Sequence, residues 1–270
     1  MNGGKLAQKP PDRFYTKLFD LQGKIAVVIG GTGVLCGEMA RGLLRAGCRV
    51  VLVGRNKKKA EHHFQQWKST PAAARFFKAD VTRRDQISRI VPRVIEWFGR
   101  IDIWINGAAI APPGAYLEIS DAQFDTIVDV DLKAVHMGCQ VIGKHWIGRK
   151  EKGCIINMSS MAALRPLSRT FVYSLAKAGV LNLSQNLARE WAQHGIRVNA
   201  LCPGFFPAEQ NRKILDEKRI EAIMRQTPMA RFGEPAELIG ATLLLASERA
   251  GGFITGSNFV VDGGFSVSAI

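Results

Sequence analysis

The sequence predicts a doubly wound α/β fold, in which one parallel sheet lies between two layers of helices. Short β-branched runs alternate with longer amphipathic stretches along most of the chain, which is typical of strands joined by crossover helices. The strand-like runs are almost entirely apolar, as expected when helices cover both faces of a sheet. A glycine-rich turn also joins the first of these runs directly to a helix.

Seven runs have the composition expected of strands. They are Lys24–Ile29, Arg49–Val53, Arg75–Lys78, Ile101–Ile105, Cys154–Met158, Arg197–Leu201 and Asn258–Val261. Six stretches carry apolar residues at helical spacing. They are Gly33–Ala46, Lys57–Trp67, Arg84–Phe98, Asp121–Arg149, Phe171–His194 and Pro235–Ala246. This order predicts a three-layer sandwich with the sheet in the middle.

Length and composition favour a single domain. The 270 residues are 47% hydrophobic and 22% charged, which excludes a disordered or fibrous chain. We expect an N-terminal extension over residues 1–17 and one domain over residues 18–270, with an insertion at residues 205–227. No apolar run has the length of a signal peptide core or a membrane span, so we predict a cytoplasmic protein with no membrane partner.

Charge and residue spacing argue against two other classes of protein. The net charge of +14 invites a nucleic-acid-binding interpretation, but no recognised binding motif accompanies it, and we predict no nucleic-acid partner. The five cysteines form no C-x-x-C pair and the histidines no H-E-x-x-H motif, so we predict no metal site and no disulfide framework. His62 and His63 lie in a Lys-rich polar stretch and are expected on the solvated surface.

The turn after the first strand has the glycine content of a phosphate-binding turn. Glycines permit a tight turn and let backbone N–H groups at the helix N-terminus approach the pyrophosphate of a dinucleotide. The sequence therefore predicts a dinucleotide site at this turn. Its predicted contacts are Gly30, Thr32, Gly33, Val34 and Leu35.

The end of the second strand indicates which dinucleotide binds. NAD(H) usually meets an acidic residue here, but no Asp or Glu occurs between Met39 and Ala60. Arg55 and Asn56 stand at this position instead, and a guanidinium can bind a 2′-phosphate through two hydrogen bonds. We therefore favour NADP(H) as the cofactor, and NAD(H) stays open.

Polar or small residues also follow two other strands. Asp80 and Val81 close the third strand, where a carboxylate can accept a hydrogen bond from an adenine amino group. Asn106 and Ala108 follow the fourth strand, where a ribose is expected. Because open α/β sheets bind ligands at the carboxyl ends of their strands, we predict that all of these residues contact the cofactor.

Tyr173, Lys177 and Ser160 are candidates for the chemical step. The four-residue spacing places Tyr173 and Lys177 on one face of a helix. Hydride transfer to a carbonyl needs a proton donor at the developing alkoxide, and a lysine ammonium beside a phenol favours its ionised form. Tyr173 can then act as an acid in one direction and a base in the other. Ser160 ends the fifth strand, where its hydroxyl can hydrogen-bond the substrate carbonyl.

These motifs occur in an order that is typical of one enzyme family. They are the glycine-rich turn, the strand-end Asn106 and Ser160, and the pair Tyr173 and Lys177. In this arrangement the chain resembles the short-chain dehydrogenase/reductase family, from Leu21 to the C-terminus. The closing segments at residues 196–204 and 255–264 share the resemblance.

The resemblance implies a Rossmann-type fold with Ser160 and Tyr173 in catalytic roles and in contact with the substrate. It also implies that Tyr173 and Lys177 contact the cofactor, with Lys177 bonded to the nicotinamide ribose. The residues after the sixth strand that it implies for cofactor binding are Pro203, Gly204 and Phe206. A homotetramer or homodimer is implied as well, built through two long helices that end near Arg149 and His194.

Within the family, residues 30–35 and 203–212 look most like the mannonate or fructuronate oxidoreductase subgroup. The insertion at residues 205–227 is expected to cover a small-molecule substrate, and Arg212 could pair with a carboxylate. We therefore expect an oxidoreductase that interconverts a secondary alcohol and a ketone of a sugar acid or polyol. Two alternatives stay open: reduction of a 3-oxoacyl or enoyl thioester, and a catalytically weak nucleotide-binding sensor or scaffold.

Four positions depart from the family pattern. Ile29 replaces a threonine of the turn, and Val34 and Cys36 replace glycines. Asp131 stands where most members carry an asparagine that holds a water near the catalytic lysine. A carboxylate at this position is expected to pair with Lys177 and to weaken the catalytic acid, which predicts a shifted pH optimum.

Overall fold

One parallel sheet organises the chain. The computed structural model describes residues 13–206 and 217–268. Its strands are β1 (Ile25–Ile29), β2 (Arg49–Gly54), β3 (Ala74–Lys78), β4 (Ile103–Asn106), β5 (Gly153–Met158), β6 (Ile196–Pro203) and β7 (Asn258–Val261). Within the described ranges these seven strands lie in the order β3-β2-β1-β4-β5-β6-β7. The predicted doubly wound, Rossmann-type sheet is confirmed.

Helices flank the sheet and connect its strands. The helices in the described ranges are α1 (Arg13–Leu18), α2 (Val34–Arg45), α3 (Lys57–Trp67), α4 (Arg84–Ser88), α5 (Ile90–Phe98), α6 (Asp121–Val128), α7 (Ala134–Arg149), α8 (Phe171–Trp191), α9 (Glu217–Gln226), α10 (Leu238–Ala246) and α11 (Glu248–Gly251). Helix α1 crosses residue 17, where the sequence predicts that the N-terminal extension ends. The Arg249 guanidinium donates to the Lys17 carbonyl at 3.3 Å.

Two predicted helices are interrupted. The predicted helix Arg84–Phe98 is split into α4 and α5, because Pro92 has no N–H with which to continue the backbone ladder. The predicted helix Asp121–Arg149 contains a π-helical turn, Asp129–Lys133, between α6 and α7. Such turns often occur at functional sites, and this one carries Asp131.

The sheet separates two apolar layers. Strand β1 is buried along its whole length, with Val27 and Ile29 in one layer and Ala26 and Val28 in the other. Both faces are therefore covered, which explains why the strand runs are apolar rather than alternating. Strand β7 lies at the sheet edge and is only partly buried. None of the helices in the described ranges is both long and apolar enough to span a membrane.

The carboxyl ends of the central strands are joined by buried polar side chains. The strand register places Asn106 of β4 opposite Asn157 of β5. Asn106 Nδ2 donates to Asn157 Oδ1 at 2.8 Å, and Asn157 Nδ2 donates to Ser184 Oγ of α8 at 2.9 Å. Trp104 Nε1 donates to Asn106 Oδ1 at 2.8 Å. These bonds fix β4, β5 and α8 relative to one another at the edge where a ligand is expected.

Candidate active site

A cleft of about 570 Å³ opens at the carboxyl edge of the sheet. Its wall contains the glycine-rich turn, the ends of β5 and β6, and the start of α8. The predicted site residues on this wall are Gly30, Gly33, Val34, Leu35, Ser160, Tyr173, Lys177, Pro203, Gly204 and Phe206. The fold thus brings the predicted dinucleotide turn and the predicted chemical residues into one cavity. Arg212 lies outside the described residues.

Lys177 is buried against the phenol of Tyr173. Its Nζ lies 5.5 Å from the centroid of the Tyr173 ring, and only 1% of the side chain is exposed. The ammonium donates to the Met158 carbonyl at 3.1 Å, and Ser159 Oγ donates to the Lys177 carbonyl at 2.9 Å. These two bonds tie α8 to the end of β5 and hold the ammonium beside the phenol.

Ser160 is positioned by a short turn at the end of β5. Its Oγ accepts a hydrogen bond from the Ala162 N–H at 3.1 Å, which caps the 3₁₀ turn Met161–Ala163. A hydroxyl that accepts one bond keeps its own hydrogen for donation. Ser160 can therefore donate to a substrate oxygen from a fixed position on the cleft wall.

Asp131 stands behind Lys177 in the protein interior. Its Oδ2 lies 3.5 Å from Lys177 Nζ, and its Oδ1 accepts the Ile110 N–H at 2.8 Å. Oδ2 has no hydrogen-bond donor among the described residues, and the side chain is completely buried. Burial raises the pKa of Asp131, and the charge of Lys177 and the Ile110 bond oppose that rise. The carboxylate expected from the sequence to pair with Lys177 is thus within ion-pair distance of it.

The glycine-rich turn fits a pyrophosphate. Gly30 has φ +77°, and a Cβ there would come within 2.6 Å of the Ala108 backbone nitrogen, so β1 and β4 can approach only without a side chain. Gly33 precedes α2, and no side chain caps the first N–H groups of this helix. Uncapped N–H groups at a helix N-terminus are suited to an anion.

Cys36, one of the departures from the family pattern, is accommodated by a neighbouring glycine. Its Sγ points at Gly107, directly after β4, and lies 3.6 Å from the Gly107 carbonyl oxygen. A side chain at Gly107 would collide with this sulfur. The Cys36 side chain therefore fits because Gly107, directly after β4, has no side chain.

The residues predicted for the adenosine end lie beside the cleft rather than on its wall. Arg55 is exposed at the end of β2, and Asn56 caps α3 by accepting the Lys59 N–H at 3.1 Å. The Thr32 side chain packs on Gly54, where a Cβ would come within 2.8 Å of Thr32 Oγ1. Thr32 therefore lies next to the strand end that carries Arg55.

Asp80 and Val81 close β3 at the same edge. Asp80 Oδ1 accepts hydrogen bonds from the N–H and the hydroxyl of Thr82, at 3.0 and 2.8 Å. These bonds and the charge of Arg55 lower the pKa of Asp80, although partial burial opposes them. Asp80 is thus a carboxylate held near Arg55.

The Asn106 side-chain amide, by contrast, is already hydrogen-bonded to Trp104 and Asn157 in the buried network.

Sequence reasoning missed several side chains near the cleft. Arg169 and Arg219 both line it, and both reach it through segments distant in sequence from the glycine turn.

His63 is half-buried, so the expectation of a solvated surface is wrong for it, whereas His62 is exposed. The His63 ring stacks on Trp67 with 5.2 Å between centroids. It also packs on Gly37, where a Cβ would come within 2.7 Å of Nε2. Burial lowers the pKa of His63.

A larger cavity of about 890 Å³ lies at the opposite, amino edge of the sheet. None of the predicted site residues lines it. Its charged residues are paired: Lys24 Nζ lies 3.1 Å from Asp102 Oδ1, and Lys152 Nζ lies 3.5 Å from Glu248 Oε1. Arg197 donates to backbone carbonyls, including that of Ile254 at 3.3 Å.

The described residues contain no cluster of three or more His, Cys, Asp or Glu side chains suited to a metal ion. All five cysteines are buried and free.

Comparisons with known proteins match most of the length of the chain. The family model described as enoyl-(acyl carrier protein) reductase matches residues 35–266. An uncharacterized oxidoreductase of Bacillus subtilis (strain 168) is 36% identical over 267 residues, covering 91% of this chain and 96% of that protein. The 2-dehydro-3-deoxy-D-gluconate 5-dehydrogenase of Escherichia coli (strain K12) is 34% identical over 250 residues, covering 92% of this chain and 97% of that protein.

Solved structures include a gluconate 5-dehydrogenase from Burkholderia cenocepacia J2315 in complex with NADP and tartrate. It is 29% identical to this chain, covers 94% of it and 100% of its own length, and superposes with a TM-score of 0.88.

Proposed function

The chain belongs to the short-chain dehydrogenase/reductase family, and on that premise we propose that it is an NADP(H)-dependent enzyme acting on a sugar acid or polyol. It interconverts a secondary alcohol and a ketone. The observation that carries the proposal is the meeting of Tyr173, Lys177 and Ser160 in the cleft that begins at the glycine turn. The finer substrate assignment, to a mannonate-like or fructuronate-like sugar acid, rests on residues 30–35 and 203–212.

In this proposal each side chain has a separate task. A bound nicotinamide supplies or accepts the hydride. The Ser160 hydroxyl donates to the substrate carbonyl and holds it in line. The Tyr173 phenol gives a proton to the developing alkoxide, and in alcohol oxidation the phenolate takes the proton back. The Lys177 ammonium favours the phenolate, and Asp131 moderates that effect by balancing its charge.

The residues proposed to hold the cofactor are those that fit its anionic parts. The N–H groups at the turn from Gly30 to Gly33 would bind the pyrophosphate, and the exposed guanidinium of Arg55 would bind the 2′-phosphate. Asp80, held near Arg55, is proposed for the adenine amino group. The proposed preference for NADP(H) follows from the absence of an acidic residue at the end of β2.

A substrate screen tests this function. Sugar acids, polyols and acyl thioesters are offered with NADPH or NADP⁺ and, in parallel, with NADH or NAD⁺, and the nicotinamide absorbance is followed. We expect turnover of sugar acids or polyols. Turnover of 3-oxoacyl or enoyl thioesters alone would overturn the substrate class, and cofactor binding without any turnover would identify a sensor or scaffold.

Cofactor choice is tested by Arg55→Ala, with Lys58→Ala as the matched control because Lys58 is also an exposed cation at this edge. Loss of a charged hydrogen-bond donor should raise KM for NADPH by about 10- to 100-fold and leave KM for NADH nearly unchanged. A wild-type preference for NADH contradicts the assignment.

We also propose that the protein is cytoplasmic and forms a homotetramer or homodimer through α7 and α8. Sedimentation of the purified protein tests the assembly, and a monomer at micromolar concentration would contradict it.

A further inference from the structure

The cleft wall is cationic. Its charged members are Arg169, Lys177 and Arg219, and no Asp or Glu side chain lines it in the described part of the chain. Lys177 is balanced by Asp131 from behind the wall. Arg169 is exposed, and it forms no ion pair with any described carboxylate. The substrate side of the cleft therefore carries positive charge that an anionic ligand could neutralise.

The backbone at Arg169 is held in an uncommon conformation. Its φ of +64° lies in the left-handed region, which costs a non-glycine residue free energy. The Arg169 carbonyl accepts the Gly114 N–H at 3.1 Å, which joins the segment after β4 to the segment before α8. Arg169 lies outside α8, four residues before Tyr173 in sequence, and both residues line the cleft. The Cα of Arg169 is thus held on the same cleft wall as the proposed proton donor.

Arg219 reaches the same place from helix α9. Its Nη2 donates to the carbonyl of Ser168 at 3.3 Å, so the Arg219 guanidinium lies beside the backbone segment that carries Arg169. Guanidinium groups match the planar geometry of a carboxylate and can bind it through paired hydrogen bonds.

We propose that Arg169, with Arg219 beside it, binds the carboxylate of the substrate while the reacting carbon faces Tyr173 and Ser160. This inference rests on the proposed function and deepens it, because it makes the substrate a hydroxy acid or keto acid rather than a neutral polyol. It also assigns the carboxylate to residues other than Arg212.

A phosphate of the cofactor is the other anion that could occupy this part of the cleft. Leu167, Thr170 and Tyr173, which are close to Arg169 in sequence, line the cleft with it, and Tyr173 is one of the chemical residues. The proposed phosphate sites lie at the glycine turn and at Arg55, which is at the end of β2. The position of Arg169 therefore favours the substrate carboxylate, and the binding experiment below separates the two.

The first experiment measures binding by calorimetry, with tartrate as the carboxylate probe and NADPH as the cofactor. Tartrate is titrated into the full chain with and without NADPH, so that the carboxylate measurement does not depend on turnover. The variants are Arg169→Ala, Arg169→Lys and Arg225→Ala. Arg225 is the matched control, because it is an exposed arginine of α9 that does not line the cleft.

We expect Arg169→Ala to weaken tartrate binding by about 10- to 100-fold, as for the loss of a charged hydrogen-bonded partner. Arg169→Lys should recover part of the affinity, Arg225→Ala should match the wild type, and NADPH affinity should not change. An unchanged tartrate affinity in Arg169→Ala, an equal loss in Arg225→Ala, or a wild type that binds NADPH but not tartrate would overturn the carboxylate site. Loss of NADPH affinity in Arg169→Ala would reassign Arg169 to the cofactor.

The second experiment separates binding from chemistry. In Arg169→Ala, KM for a sugar acid should rise by about 10- to 100-fold while kcat changes little, and KM for a neutral polyol should stay constant. Equal effects on acid and polyol would contradict a carboxylate contact. A wild type that binds neither NADPH nor NADH would instead contradict the proposed function itself, whatever the tartrate result.

Discussion

The two edges of the sheet carry two cavities with opposite properties. The amino-edge cavity is the larger, at about 890 Å³, but Lys24 and Arg100 neutralise Asp102 there and Lys152 neutralises Glu248. The wall of the carboxyl-edge cleft, about 570 Å³, carries hydroxyl and phenol groups and three cations, and no described Asp or Glu lines it. Behind this wall, Asp131 Oδ2 is buried and accepts no hydrogen bond from any described residue. In this protein, the polar groups available to a ligand therefore indicate the functional site better than the volume of a cavity does.

The largest expected effect is at the carboxyl edge. Tyr173→Phe removes only the phenolic O–H, and kcat should fall by about 10²- to 10⁴-fold because no proton donor remains at the alkoxide. The unfolding temperature should stay close to that of the wild type, because the ring and its packing are kept. A kcat within tenfold of the wild-type value would remove Tyr173 from the chemical step and weaken the contrast between the two edges.

At the amino edge, Asp102→Ala should affect stability alone. Asp102 accepts the Ile25 N–H at 3.0 Å and Arg100 Nε at 2.9 Å, besides its ion pair with Lys24. Its loss leaves these donors without their acceptor, so the free energy of unfolding should fall by about 1–3 kcal/mol in chemical denaturation. The kcat of the folded variant should be unchanged, and a large fall in kcat would show that the amino edge is coupled to the reaction.

Asp131→Asn tests the buried pair at the carboxyl edge. The amide can still accept the Ile110 N–H, so the variant removes charge and preserves shape. Burial raises the pKa of Asp131, and below that pKa both proteins therefore have a neutral group beside Lys177. Above that pKa, only the wild type has a negative charge beside the Lys177 ammonium. In the variant the unbalanced ammonium then favours the phenolate more strongly.

The pH–rate profiles for alcohol oxidation should therefore coincide at low pH, where Asp131 is neutral, and again on the alkaline plateau. Between these limits Asp131→Asn should be the faster enzyme, with its rising limb at lower pH than that of the wild type. Profiles that coincide across the whole range would exclude an electrostatic role for Asp131.

The smallest effect is expected for Lys152→Ala at the amino edge. Lys152 and Glu248 are both well exposed, and their ion pair spans 3.5 Å. Exposed pairs contribute little, so the free energy of unfolding should change by less than about 0.5 kcal/mol and kcat not at all. A tenfold change in kcat/KM would mean that the larger cavity takes part in the reaction after all.

The parts of the structure that depend on local sequence were predictable. The observed bounds of α3, Lys57–Trp67, and of β7, Asn258–Val261, are those predicted, because helix and strand periodicity is a local property. The Tyr173 and Lys177 spacing is local in the same sense. A helix places residues four apart on one face whatever surrounds it.

The parts that depend on distant contacts were not predictable. The π-helical turn at Asp129–Lys133 carries Asp131, whose Oδ1 accepts the Ile110 N–H and whose Oδ2 lies 3.5 Å from Lys177 Nζ. Both partners belong to other parts of the chain. Arg219 lies beside the segment that carries Arg169 only because α9 packs against the residues before α8. No periodicity in the sequence indicates such a contact between distant segments.

The five cysteines have a practical consequence for measuring motion in this protein. Burial raises the pKa of Cys36, Cys48 and Cys139 to about 12 and that of Cys202 to about 11, and it also raises the pKa of Cys154. Thiol reagents react with the exposed thiolate, so maleimide dyes should not label the native protein. A single reporter at Arg225→Cys would then label α9 alone. Its fluorescence would follow that helix as ligands enter the cleft, with no background from the native thiols.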